Sequence, residues 1–299
     1  MDISTSLNVL ARRPAIEAIE RCAAAGFRAF DFNYCDYREA LLQQSWSEEE
    51  VWARKIRDTA ERVGVRLRQM HGPIFPVLGH GETHEAHIAL SERSMRTAAI
   101  LGVEWVVFHP GMLPGAFDAA HRRQLRDRNA AFVQRLLDTS ESSGVGVALE
   151  NCPDKAAGGD QARRQYGAVP DDLVELVDTI DHPLAGICWD TGHGEVQGLD
   201  QSLALRSLEH RLKVTHVHDN DGRSDQHLLP FSGRIAWSGV MHALAAIEYQ
   251  GSCSLEVQTS FRALPDELKE AQLRFAYATA ECLVELFHRR TSVPWTRSA

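Results

Sequence analysis

Six short runs of β-branched and apolar residues each stop on a side chain able to bind a metal. They are QMHGP at His71, VVFHPG at His109, VALENCP at Glu150, ICWDTGH at Asp190, VTHVHDND at His218 and CSLEVQ at Glu256. Packing accounts for one such ending, but not for the same ending repeated along a chain. Glu150, Asp190, His218 and Glu256 together offer three carboxylates and one imidazole. That hard, oxygen-rich set suits one divalent cation, Mn²⁺, Mg²⁺ or Co²⁺, and also accommodates Zn²⁺. Without a cation, three carboxylates in one cavity repel and raise each other's pKa values. Any one of these residues reads equally well as a strand-end cap or salt-bridge partner; four landing in phase do not.

Further donors cluster around these. His71 and His109 are followed closely by Gly or Pro and face the same cavity, as a second metal position or as substrate contacts. His193, three residues after Asp190 in WDTGH, lies on a glycine-flanked turn that bends both groups over the same opening. His216 and His218 share strand parity and point the same way. His218, nearer the strand end, is the expected ligand, with His216 packed one layer below. Asp225 and His227 follow in the next loop. The arginines of HRRQLRDRN read as a solvated helix face.

Placing these groups together requires a repeated strand-and-helix architecture. Strand candidates fall near 2–9, 27–33, 65–71, 103–109, 145–151, 184–190, 212–218 and 252–258. Helix candidates lie near 14–25, 47–63, 84–101, 121–143, 170–180, 200–210, 237–248 and 265–290. Ser47 before Glu48, Glu49 and Glu50 suits an N-cap, and Pro170 suits a first helical residue. Runs such as VEWVVFH are apolar nearly throughout, as in strands covered on both faces. Eight βα units over residues 1–290 fit an α/β fold of the (β/α)8 TIM-barrel type, one domain whose functional groups gather at the carboxyl ends of the strands. A doubly wound sheet would want a Gly-rich phosphate fingerprint after an early strand, and none is present. The stretch 154–169 reads as a loop overhanging the barrel mouth, and 291–299 as a loosely ordered tail.

The chain carries 41 acidic against 32 basic residues, a formal charge of −9, which disfavours a general nucleic-acid binder. Six cysteines without a CxxC pair, a start lacking a signal-peptide layout and no long apolar run lead to the expectation of a cytoplasmic protein with no membrane partner.

The segments ALEN, WDTGH, HVHDNDG with the following DQHLLP, and SLEV resemble the xylose isomerase-like TIM-barrel superfamily, in particular its sugar phosphate isomerase/epimerase group. The resemblance runs over nearly the whole chain. It implies that Glu150, Asp190, His218 and Glu256 hold one divalent cation, as in ketose 3-epimerases, with His193 touching substrate. In the apurinic-endonuclease branch, further ligands come from positions matching His71, His109, His193, Asp225 and His227, so the resemblance also admits a multi-zinc site. One departure is the loop HLLPFSG, where Leu229, Phe231 and Ser232 replace the Pro, Gly and Glu of the usual HLPPGEG; it leaves pocket shape and substrate open. Homo-oligomers are common among such barrels, and no residue fixes a number.

The expected activity is isomerisation or epimerisation of a keto-sugar, polyol or sugar derivative. Glu150 and Glu256, from different strands, would move a proton next to a carbonyl whose enediolate the cation stabilises. A metal-dependent lyase or dehydratase shares that first step. A multi-zinc phosphodiesterase of the apurinic-endonuclease type is the alternative from another reaction class. A purely sugar-binding or scaffolding barrel would have no need of donors at six strand ends.

Overall fold

The computed structural model describes residues 1–11, 13–156 and 162–289. The expected tail at 291–299 and the middle of the 154–169 loop lie outside the described residues. The apolar runs form β1 (Asp2–Ser6), β2 (Ala29–Asn33), β3 (Arg66–His71), β4 (Trp105–Phe108), β5 (Gly146–Glu150), β6 (Ala185–Asp190), β7 (Leu212–His216) and β8 (Ser252–Leu255). All pair in parallel, in the order β8-β1-β2-β3-β4-β5-β6-β7. The ring closes between β7 and β8 at the carboxyl end. There the Val217 N–H donates to the Ser254 carbonyl (2.8 Å), and the Val217 carbonyl accepts from the Glu256 N–H (3.1 Å). The fold is a single-domain TIM barrel.

Between strands, among the described residues, run α1 (Ala15–Ala24), α2 (Trp46–Val63), α3 (Glu82–Leu101), α4 (Ala119–Ser140), α5 (Pro170–Ile180), α6 (Gln201–Leu208), α7 (Trp237–Ala246) and α8 (Asp266–His288). The cap of α2 is Ser45 rather than Ser47. Ser45 and Glu48 form a reciprocal capping box, with the Ser45 N–H donating to Glu48 Oε2 (2.8 Å), which draws Ser47 into the first turn. Pro170 opens α5 as expected. No helix among the described residues is long and apolar enough to cross a membrane.

Two apolar layers hold the barrel. The larger joins the outer strand faces to the helices. Inside the ring, Val107, Ala148, Cys188 and Val214 form a small separate cluster. These modest side chains fill the narrow lumen and leave the space above them, at the carboxyl rim, to polar groups.

Candidate metal centre

Glu150 ends β5 and is 1% exposed. Its Oε2 lies 3.1 Å from His109 Nε2 and 3.4 Å from His71 Nε2. Its Oε1 lies 3.1 Å from His216 Nδ1 and 3.4 Å from His193 Nδ1. His71 ends β3, and His109 stands one residue past β4. The turn after His109 is held by buried Asn129 of α4, which accepts from the Gly111 N–H (2.6 Å) and donates to the Gly111 carbonyl (3.0 Å). Burial pushes Glu150 up, yet His216 and His109 hold it well below the usual carboxylate range.

A second group surrounds the other oxygen. One ligand atom from each of Glu150, Asp190, His216 and Glu256 lies within 4.8 Å of the others. Here the structure departs from the sequence reading: His216, not His218, joins the three carboxylates. A bulge in the β6–β7 pairing skips Lys213, so His216 comes level with Asp190, and the two face each other as register partners. The strand also ends at His216 rather than at 218, so His216, and not His218, is the strand-end imidazole. His218 turns instead toward Asp190 Oδ2 (3.0 Å) and belongs to a third group with Asp225 and His227. Within this group His227 Nε2 is 2.9 Å from Asp225 Oδ2, and the His218 and His227 rings stack at 4.0 Å. His193 reaches the same carboxylate at 3.4 Å through Nε2.

The tautomers are fixed from outside. The Nδ1–H groups of His71, His193 and His227 donate to the carbonyls of Gly72 (2.9 Å), Asn151 (2.8 Å) and Glu256 (3.0 Å). Each therefore turns its Nε2 toward the carboxylates. Imidazoles tied at one nitrogen and aimed inward at the other are what metal ligation demands, and the carboxylates supply the charge. The donor set thus fits divalent cations. It joins every candidate from the sequence into one continuous centre, with His218 in a different part of it. Sequence reasoning missed His216 as a direct neighbour of the carboxylates, and it missed Asp31 of β2, whose Oδ2 lies 3.0 Å from His216 Nε2. A lone acid inside the apolar run AFDFN was the available signal for Asp31.

Without metal, His193 and His227 hold their protons more tightly than a free imidazole. Burial lowers His193, but Asp190, Asp225 and Glu150 outweigh it and raise its pKa to about 10. His227 is raised to about 9, with Asp225 and Glu256 overcoming burial. A histidine with a raised folded pKa contributes stability that is fully present below its unfolded value near 6.5 and is lost as pH climbs through the folded value. The metal-free protein should therefore lose several degrees of Tm as pH climbs from neutrality through about 9 to 10. A cation displaces those protons, so the Tm gained on loading metal should grow over the same range. Calorimetry with and without chelator checks this; two parallel curves would contradict it.

A family model described as xylose isomerase-like TIM barrel matches residues 19–277. The chain belongs to that family. Among its relatives, MJ1311 of Methanocaldococcus jannaschii is 30% identical over 158 residues, covering 52% of this chain and 51% of that protein. The chain thus spans about half the length of that relative. Endonuclease 4 of Thermus thermophilus is 26% identical over 253 residues, covering 77% of this chain and 82% of that enzyme. In three dimensions, a D-tagatose 3-epimerase-like protein superposes with a TM-score of 0.71 at 24% identity, covering 95% of this chain and 99% of the other. The IOLI protein with a bound zinc atom gives 0.73 at 18% identity, covering 98% and 100%. At these identities the structural likeness within the family carries the fold alone.

Proposed function

We propose that this protein hydrolyses a phosphoester carried on a sugar, using two or more divalent cations, zinc being best matched to the imidazole-rich donors. One observation carries the reading. The two oxygens of Glu150 face different donor groups, Oε2 toward His71 and His109 and Oε1 toward His216. A carboxylate engaged on both sides would hold a cation at each oxygen and would leave neither free to take a proton from carbon. Bound cations supply Lewis acidity toward a phosphoryl oxygen and lower the pKa of a water.

The chain's own side chains do the rest. Glu150 spans the centre, while Asp190, His216 and Glu256, all buried, hold its floor and exclude bulk water. The side chains of His109 and Asp225 are 30% and 37% exposed, so substrate approaches along the edge between them. Asp225, bonded by His227 Nε2 and open on that edge, orients the attacking water. The endonuclease 4 relative supports the phosphoester class, while the net charge of −9 favours a small sugar phosphate over a duplex.

The test is metal-loaded protein offered sugar phosphates, bis(p-nitrophenyl) phosphate and a duplex with an abasic site. Phosphate release or nicking should vanish with chelator and return with zinc. No turnover on any of them by fully loaded protein would end this reading.

A second reading is favoured by a separate observation: Glu150 and Glu256 reach the four-donor group from non-adjacent strands, β5 and β8. One cation there would serve a carbohydrate isomerase or epimerase, with the two glutamates moving the proton and His193 contacting substrate; a lyase would begin with the same proton removal. Solvent deuterium entering a ketose, with no phosphoester cleaved, would favour it over the first.

A further inference from the structure

His216 differs from the other inward-facing imidazoles in what holds it. His71, His193 and His227 are each fixed by a backbone carbonyl, whereas His216 Nε2 faces the side chain of Asp31 at 3.0 Å. Asp31 lies on β2, across the lumen from β7 with β1 and β8 between them in the sheet. Asp31 is 1% exposed and His216 fully buried. Gln69 of β3, also buried, donates from Nε2 to the same Asp31 Oδ2 (3.0 Å) and to the Thr215 carbonyl (3.3 Å). The other oxygen, Asp31 Oδ1, is buried with no hydrogen-bond partner among the described residues.

A buried carboxylate left half-satisfied is costly, and a hydrophobic residue of similar volume would suit the lumen better. Its cationic-capable neighbour in this network is His216, and Gln69 aims Asp31 at it. Left alone, His216 would place its proton on Nδ1 and donate to Glu150 Oε1, 3.1 Å away, which would remove the lone pair that a cation needs. We propose that Asp31 is a positioning residue that locks His216 in its Nε2–H form, so that Nδ1 is the nitrogen offered to the Glu150, Asp190 and Glu256 group. This rests on the metal-centre part of the proposed function and names the device that makes one ligand competent. Carboxylate partners of this kind, when removed, typically cost about 10–100-fold in metal affinity.

Two variants and two readouts test it. Asp31→Ala removes the acceptor, and Asp31→Asn keeps an acceptor and the volume while removing the charge. Zinc affinity is measured by chelator competition, and the His216 ring nitrogens are followed by long-range ¹H–¹⁵N NMR of the zinc-loaded protein. Wild type should show Nε2 protonated and Nδ1 ligated. Asp31→Ala should weaken the affected zinc position by about 10–100-fold and show His216 Nδ1 protonated, with Asp31→Asn between the two. If Asp31→Ala fails to fold, the Asp31→Asn affinity and the wild-type tautomer still decide the matter. Wild-type affinity in Asp31→Asn together with an unligated wild-type Nδ1 overturns the inference, while metal binding itself stands. Wild-type protein that takes up no metal at all would instead defeat the reading on which it rests.

Discussion

Glu150→Gln should cost the protein more than one metal position at a stroke. The carboxamide keeps the shape of the side chain but loses its charge, and it turns one end from ligand to donor. Two of the groups that share Glu150, His71 with His109 on one side and Asp190 with His216 and Glu256 on the other, lose their common anion. The loaded variant should hold fewer ions than wild type by at least one, and its phosphoester turnover should fall by well over 100-fold, beyond the range seen when only a ligand's partner is removed. Asp190→Asn, which leaves Glu150 with the His71 and His109 side intact, should keep metal there. Elemental analysis of both variants beside wild type measures this; equal metal content in Glu150→Gln and wild type would sink the bridging role.

Gly192→Ala should be among the most destabilising single changes in the rim. A Cβ at Gly192 would stand 1.8 Å from His218 Cε1 and 2.3 Å from its Nδ1. His218 cannot retreat, because its ring is fully buried and stacked on His227 at 4.0 Å. Overpacking of this kind costs about 1–3 kcal/mol, and the fixed ring puts this site at the upper end. The third donor group should loosen, while the Glu150 groups keep their metal. Urea denaturation with metal analysis reads both effects. A change below about 0.5 kcal/mol, the range of an ordinary surface substitution, would mean that His218 does not lie against this turn.

Most of the barrel was legible because its strands are apolar on both faces and its helices carry caps and glycine stops. Register was not. Neither was the strand end, since LKVTHVH stays compatible with a strand through His218 and nothing in it marks His216 as the last residue of β7. The cap of α2 moved to Ser45 for a related reason: two serines two residues apart both satisfy a composition rule, and geometry chooses between them. Likewise, His71, His109, Asp225 and His227 could be nominated from strand ends and a loop. That Glu150 serves two groups through different oxygens is a property of side-chain direction, which residue order does not encode.

The account turns on cations standing on both sides of one glutamate. Purified wild-type protein, saturated with zinc and washed free of excess, should carry two or three ions per chain. Anomalous diffraction should find one between Glu150 and the His71–His109 pair, and another between Glu150 and His216. A single ion at saturation, confined to the four-donor group, would contradict it and hand the site to single-cation carbohydrate chemistry.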